Sequence, residues 1–399
     1  MPALHAAEVV LTTLTSLLAL GWLGQAAAAF RGIPTLADLT RPDSPLPTST
    51  GPGPDVTVIV PACNEEASIQ ATLRSLLAST GVRLQIIAVN DRSTDRTGPL
   101  MDAVAAEAHT TPHQLEIIHN RELPEGWLGK THALSLAAAR ATTPWLLFTD
   151  GDVKFHPRAI ALSLGYAQAN RADHVVITLT LEIKRIMEAA VFASFQALAG
   201  WNIRLWKVSD PEARDFFGTG GFNFVRRSIF EQLGGFSDLR LEIVEDLRLG
   251  WKIKRAGFSQ HVVLGPGLVC IHWIQGALGI VNLMEKNAFA GFRYRVGVAL
   301  FAFLCIAMQI AIPLAAISLG GWPAIAGLAV YAGIALTYAA NRPVTQVSPW
   351  VALLFAPATS LFLFALARST FLALRRNGVV WRGTLYSLDE LRRNTGKSW

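Results

Sequence analysis

Charge is scarce in this sequence, and cysteine scarcer still. Asp, Glu, Lys and Arg make up 16% of its 399 residues, while hydrophobic residues reach 51%. Ordinary soluble domains carry about 25% charged residues, so this balance excludes a wholly soluble protein of usual composition. Cys63, Cys270 and Cys305 are the only cysteines. They are odd in number, far apart and form no Cys-x-x-Cys pair, which leaves no basis for a disulfide framework or a zinc site. A reducing compartment is the simpler setting. The polar part lacks a basic stripe with interleaved aromatics, which excludes nucleic acid as a partner. The positive charge that exists lies late in the chain. From position 280 onward eleven Lys or Arg face three Asp or Glu, a local +8, so the remainder of a chain totalling +6 carries −2. Basic charge beside apolar segments suits anionic headgroups or phosphate-bearing substrates.

The apolar segments come next. Residues 9–30 contain no charge, enough for one crossing at about 20 residues each. A cleaved signal peptide needs a positive n-region, and Glu8 stands there instead. An uncleaved anchor over residues 1–31 is therefore expected, with Arg31 and Arg41 placing the segment after it in the cytoplasm. Residues 32–54, rich in Pro, Gly, Ser and Thr from position 41, read as a linker. Residues 276–295 mix Leu, Ile, Val and Phe with Glu285, Lys286, Arg293 and Arg295. They read as an amphipathic interfacial helix, with a surface helix of a soluble domain as the other reading. Residues 296–341 are charge-free and broken at Gly320-Gly321-Trp322-Pro323, which suits two helices, and residues 347–367 form one more candidate span ending at Arg368. Residues 296–374 thus hold two to three crossings. The tail from 375 to 399 is basic through Arg375, Arg376, Arg382, Arg392, Arg393 and Lys397. Three full crossings after a cytoplasmic domain would put that tail outside, against the positive-inside rule. Either one segment is re-entrant or lies in the interface, or the rule fails here; we expect a cytoplasmic tail.

Residues 55–275 follow an α/β pattern. Strands are expected at Val56–Val60, Leu84–Val89, Leu115–His119 and Trp145–Thr149, with helices at Glu65–Ala78, Asp95–Ala108 and Lys130–Ala141. Strand and helix alternating with short loops imply a mainly parallel sheet with helices on both faces. Ligands in such sheets bind at the carboxyl ends of the strands. Asn64, Glu65, Asp91, Asp150 and Asp152 all lie just after strands, which gathers polar groups along one edge.

The Asp150-Gly151-Asp152 step holds two carboxylates at that rim, where they can bind a divalent metal and through it a diphosphate; Asp-Gly is also a common turn. Asn64, Glu65 and Glu66 can contact a ligand or cap the next helix. Asp91 can accept from a base N–H or serve a turn, and Asp95 reads as the cap of the following helix. Lys130 follows Gly126-Trp127-Leu128-Gly129 and opens a helix, a place that favours phosphate but also suits a solvated lysine. Trp127 reads as a lid or as core. Gly218-Thr219-Gly220-Gly221-Phe222 lets backbone approach a ligand closely, or is a plain turn. Glu245-Asp246 opens a helical run to Arg255, where carboxylates also complement the helix dipole. A haloacid-phosphatase reading of the Asp-Gly-Asp step wants Thr two residues after the second Asp, and Lys154 stands there. Together the residues suggest an enzyme using a nucleotide-activated donor, and the apolar segments a lipid acceptor.

Over about residues 55–260 these motifs resemble a membrane-bound family 2 glycosyltransferase of the GT-A fold, flanked by N- and C-terminal transmembrane helices. The Gly-Trp-Leu-Gly-Lys segment is similar to that of bacterial hopanoid-associated and carotenoid-type glycosyltransferases. The resemblance implies that Pro61, Asn64 and Glu65 contact the nucleotide, Asp91 a pyrimidine N–H and Lys130 the phosphates. Asp150 would lie near the ribose, and Asp152 with Asp150 would hold Mg2+ or Mn2+. Asp246 would be the general base of an inverting displacement, after Glu245. Gly220, Gly221, Glu245, Trp273, Lys286 and Arg293 are candidates for the acceptor or diphosphate, Lys286 and Arg293 equally for interface anchors. Processive members carry Gln-x-x-Arg-Trp after the base. Here Trp273 follows His272, and Phe292-Arg293-Tyr294-Arg295 is only a loose substitute. Transfer of a single hexose is therefore expected, from a UDP-sugar to a lipid hydroxyl, in a bacterial-type inner membrane with the domain cytoplasmic. The alternatives are a polyprenyl-phosphate sugar transferase and a non-catalytic nucleotide-binding scaffold.

Overall fold

The computed structural model describes residues 2–48, 53–274, 276 and 278–395. Lys397 and residues 49–52 of the expected linker lie outside the described residues, as do 275 and 277 at the expected boundary with the interfacial helix. The chain opens with helix α1 (Pro2–Gly32). The α/β part then runs β1 (Val56–Ala62), α2 (Ile69–Leu77), β2 (Leu84–Asp91), α3 (Thr97–Glu107), β3 (Gln114–Asn120), α4 (Gly129–Ala138) and β4 (Trp145–Phe148). It continues with β5 (Val153–Phe155), α5 (Ala159–Ala169), β6 (His174–Ile177), β7 (Thr180–Leu181) and helix α6 (Ile186–Ala199). It closes with β8 (Asn223–Arg226), α7 (Arg227–Gln232), α8 (Glu245–Arg255), β9 (Gln260–Val263) and β10 (Val269–Ile271). The C-terminal part holds α9 (Gly279–Gly291), α10 (Val296–Leu319), α11 (Gly321–Thr345), α12 (Phe355–Arg375), a hairpin of β11 (Gly378–Trp381) and β12 (Thr384–Ser387), and α13 (Leu388–Thr395).

Two compact units result. The α/β unit comprises residues 36–182 and 205–272; the helical unit comprises residues 1–35, 183–204 and 273–399. Residues 183–204, which the sequence pattern left inside the α/β domain, thus join the helical unit. The reason is their apolar surface: α6 is buried along Ala189–Ser194, and Ser194 Oγ lies 2.8 Å from Tyr338 Oη of α11.

In the α/β unit a seven-stranded sheet has the order β3-β2-β1-β4-β8-β6-β9. β3, β2, β1 and β4 are parallel, and β8 runs antiparallel between β4 and β6. Every residue of β1 is buried, as a strand covered on both faces requires. A small sheet of β5, β10 and β7 follows the Asp-Gly-Asp step. The expected strands and the α4 helix lie within a few residues of prediction. The first helix does not: α2 starts at Ile69 with Ser68 in the cap position. Asn64 takes a left-handed φ of 56°, and the side chains of Asn64 and Glu66 accept from Thr94 N and Arg96 N of the loop after β2, so the capping reading is corrected for these two, whereas Glu65 O accepts from Ser68 N and Ile69 N at the start of α2. The first part of the expected linker is also not free. Leu39 N donates to Leu264 O and Leu264 N to Ala37 O, 2.9 and 2.8 Å, extending the β9 edge.

In the helical unit, α1, α10, α11 and the span Pro349–Arg375 are each long and apolar enough to cross a membrane. Trp22 of α1 is fully buried and donates its Nε1–H to Gln309 Oε1 of α10 at 2.9 Å.

Candidate active site

Parallel register aligns the carboxyl ends of the strands. Ala62 of β1 pairs with Asn90 of β2, Asn90 with His119 of β3, and Ile59 of β1 with Phe148 of β4. Pro61 is therefore the last residue but one of β1, Asp91 ends β2, and Asp150 stands two residues past β4. A shared apolar cluster, with Ile59, Val89, Leu134, Phe148, Phe236 and Leu249 all buried, ties β1, β2, β4, α4 and α8 together beneath them. Thr72 Oγ1 donates to Gly151 O and Thr149 Oγ1 to Gly221 O, each 2.9 Å, which pins the Asp-Gly-Asp turn and the glycine loop.

Three distant segments meet at Lys130. Its Nζ lies 2.6 Å from Asp150 Oδ1 and 2.6 Å from Glu245 Oε1. Burial alone would lower the lysine's pKa; Asp150, Glu245 and Asp246 outweigh it and hold the ammonium charged. Glu245 is raised, by burial first. Gly220 closes over the pair: a Cβ there would sit 2.4 Å from Asp150 Oδ2 and 3.2 Å from Lys130 Nζ. The glycine loop therefore approaches the carboxylate as closely as it does only because residue 220 has no side chain.

Asp152 is crowded by like charge. Burial, then Asp150 and Glu65, push its carboxyl up to about 7. Such a group ionises readily once a cation arrives. Among the described residues no three His, Cys, Asp or Glu are grouped to enclose an ion. Two carboxylates one residue apart are the donor set of a Mg2+ or Mn2+ that takes its other ligands from phosphate and water. Asp150 and Asp152 thus fit an ion shared with a diphosphate, and do not fit an all-protein cage.

On the neighbouring strand, Asp91 is 2% exposed. Arg92 Nε and Nη2 donate to its Oδ1 and Oδ2 at 3.0 and 2.9 Å, and Asn120 Nδ2 donates to Oδ1 at 2.8 Å. Neither Arg92 nor Asn120 stood out in the sequence, since a pair formed by adjacent residues and a partner on another strand has no spacing signature. Gly129 admits this pair beside α4: a Cβ there would meet Arg92 Nη2 at 2.3 Å and Asp91 Oδ2 at 2.5 Å. Asn64 Oδ1 accepts from Thr94 N at 2.8 Å, and Glu65 N donates to Thr97 Oγ1 at 2.7 Å, so the loops after β1 and β2 move as one. Asp95 accepts from Thr97 N at 2.9 Å, a local cap, and from Glu66 N at 3.1 Å.

Asp246 is half-buried at the start of α8, its Oδ1 accepting from Leu247 N at 2.7 Å. A buried chain with one allowed direction runs to it. Phe217 N–H donates to Gln260 Oε1, so Gln260 Nε2 must donate to His174 Nδ1, at 2.7 Å. His174 therefore carries its proton on Nε2, which donates to Asn223 Oδ1. Asn223 Nδ2 then donates to the Asp246 carbonyl at 3.2 Å. Burial pushes His174 down to about 4, so the ring stays neutral and the direction holds.

The remaining candidates are placed otherwise. Trp127 is partly buried against the apolar cluster. Trp273 packs on Phe192 and Phe195 of α6, ring centres 6.3 and 5.6 Å apart. Lys286 stands 4.5 Å over the Trp381 ring, and Arg293 takes a left-handed φ of 55° at the turn after α9. These three belong to the helical unit and have protein neighbours there.

Comparison with known proteins bears on the sequence and the fold. Residues 57–234 match the sequence model of glycosyl transferase family 2. A probable glycosyltransferase, YdaM of Bacillus subtilis, is 28% identical over 227 residues, 54% of this chain and 50% of its own. The 4,4'-diaponeurosporenoate glycosyltransferase of Staphylococcus haemolyticus is 30% identical over 101 residues, 25% of each chain. The chain thus spans about half or less of the length of these curated relatives. Among solved structures, a mannosyltransferase from Pyrobaculum calidifontis in complex with GDP-Man and Mn2+ superposes with a TM-score of 0.55 at 21% identity, covering 92% of this chain and 98% of its own. Residues 57–234, somewhat under half of the chain, are thus similar to glycosyl transferase family 2, and the fold is of the GT-A type.

Proposed function

We propose that the protein transfers one sugar from a nucleotide diphosphate-sugar to a hydroxyl of a membrane lipid, with inversion, at the cytoplasmic face of a bacterial inner membrane. The observation that carries this reading is the meeting of Asp150, Lys130 and Glu245 within ion-pair distance, with Asp246 next in the chain. Lys130 at a helix start is poised for a diphosphate. A divalent ion held by Asp150 and Asp152 would offset negative charge on the leaving diphosphate. Asp246 takes the proton of the acceptor hydroxyl while that oxygen bonds to the anomeric carbon and the bond to the diphosphate breaks. The GDP-Man and Mn2+ of the mannosyltransferase structure support a nucleotide-sugar and a divalent ion. Asp91 supports uracil over guanine: three of its roughly four lone-pair sites already accept from Arg92 and Asn120, which leaves room for one base N–H rather than two.

The long apolar helices support a lipid acceptor and an integral membrane protein. They also bear on the tail. α10 and α11 run out and back through Gly320. If α12 crossed next, its end would lie far from the start of α10. Instead Glu285 of α9 pairs with Arg368 and with Arg376, the latter at 2.9 Å. Ser369 Oγ donates to Glu285 O at 2.8 Å, and Arg392 Nη2 to Tyr294 O at 3.1 Å, just before α10 begins. We read α12 as re-entrant or lying along the membrane surface, with the basic tail on the cytoplasmic side.

The test is release of nucleoside diphosphate by detergent-purified protein offered a panel of UDP- and GDP-sugars, with and without Mn2+, in wild type and Asp152→Ala. Metal-dependent release from one donor, lost in the variant, is expected. No release from any donor, even with total membrane lipid extract added, would reject the reading.

A further inference from the structure

Lys130 occupies an unusual position for a phosphate ligand. It is not directed at open solvent: its side chain is 14% exposed, and it bridges Asp150 and Glu245. One of those carboxylates belongs to the candidate metal pair, the other adjoins the candidate base. Asp246 and Asp152 also feel its charge, and Glu65 stands beside Asp152, so a single ammonium offsets carboxylates on different segments. Gly220 holds this arrangement closed, with no room for a side chain between the glycine loop and the pair.

We propose that Lys130 is an internal stand-in for the metal: in the free protein its ammonium holds Asp150, and it must release that oxygen for a divalent ion and turn to the donor's diphosphate. This rests on the proposed function, in which a diphosphate and an ion share the site. The consequence has a definite sign. A fixed positive charge within ion-pair distance of a ligand oxygen opposes a dication at that oxygen. Metal and nucleotide then bind cooperatively, because the diphosphate draws away the ammonium that competes with the metal. By linkage, the metal raises nucleotide affinity by the same factor. Lys130 thereby keeps the site from loading metal without donor, and its bond to Glu245 connects that event to the segment bearing Asp246.

The experiment measures free Mn2+ by electron paramagnetic resonance during titration of the detergent-purified full chain, first without nucleotide and then with saturating UDP or GDP. Wild type, Lys130→Met, Lys130→Arg and the double variant Lys130→Met with Glu245→Gln are compared. Without nucleotide, Lys130→Met should bind Mn2+ about tenfold tighter or more than wild type, while Lys130→Arg stays close to wild type. UDP or GDP should tighten Mn2+ binding at least tenfold in wild type and by clearly less in Lys130→Met. The double variant leaves no unpaired buried carboxylate at position 245, so it reports even if the single variant fails to fold, and it too should exceed wild type. Equal or weaker Mn2+ binding in the Met variants overturns the proposal, as does absence of Mn2+ binding to every protein at millimolar concentration. Failure of the wild type to bind either nucleotide would instead reject the proposed function itself. Nucleotide binding with the wrong order of Mn2+ affinities rejects only the role of Lys130.

Discussion

At the scale of single residues, the proposed chemistry hangs on carboxylates whose surroundings differ. Asp152 is buried beside like charge, Asp91 is neutralised by Arg92, and Asp246 sits half-open at a helix start. If Asp246 is the base, Asp246→Asn should lower turnover by 100-fold or more, within the ~10²–10⁴ typical of general-base loss, while nucleotide affinity stays within a factor of about two. Kinetics on the lipid acceptor together with equilibrium UDP or GDP binding would check this. Turnover that survives the substitution would point to an acceptor phosphate, which needs no base. The types and order of these residues were legible in the sequence: Asp91 and Asp152 lie at the ends of apolar strand-like runs, and Asp246 opens a helical run. Their partners were not: the Asp91–Arg92–Asn120 set and the Lys130 bridge join positions that only folding brings together.

At the scale of elements, α8 is held against the sheet by the directed chain from Phe217 through Gln260, His174 and Asn223 to the Asp246 carbonyl. His174 stands at about 4 in the fold against an ordinary value of 6.5. The unfolded chain therefore takes up a proton first. The contribution to stability is fully present above pH 6.5 and is lost as pH falls from 6.5 through 4, by on the order of 3 kcal/mol. In His174→Gln, melting temperature between pH 7 and 4.5 should fall less steeply than in wild type, by up to one proton's worth of slope. His113, His132 and His261 are likewise lowered by burial and leave a residual slope in both proteins. An unchanged slope in the variant would mean that His174 already titrates normally. Strand periodicity revealed β6, β8 and β9 poorly, since they are four residues each and two of their polar side chains, His174 and Asn223, point inward.

At the scale of the whole molecule, composition already points to a membrane, and four helices are long and apolar enough to cross one. Length alone would count α12 among the crossings; its contacts with α9 argue that its end returns to the side where α10 begins. Single cysteines placed at Arg382 and at Gly320 in a Cys-free background should therefore differ. In right-side-out vesicles, a membrane-impermeant maleimide should label position 320 and not position 382. Labelling of 382 from outside would restore three C-terminal crossings. The sequence by itself determined local features: the apolar runs, the alternation of strand and helix, and the carboxylates placed at strand ends. These arise from neighbouring residues and short-range periodicity. The tertiary structure alone decided that Lys130 joins Asp150 to Glu245, that residues 183–204 pack with the helical unit, and that the C-terminal tail folds back onto α9. Those contacts join groups from 20 to 144 residues apart, and no local pattern encodes a contact whose partners meet only when the core closes.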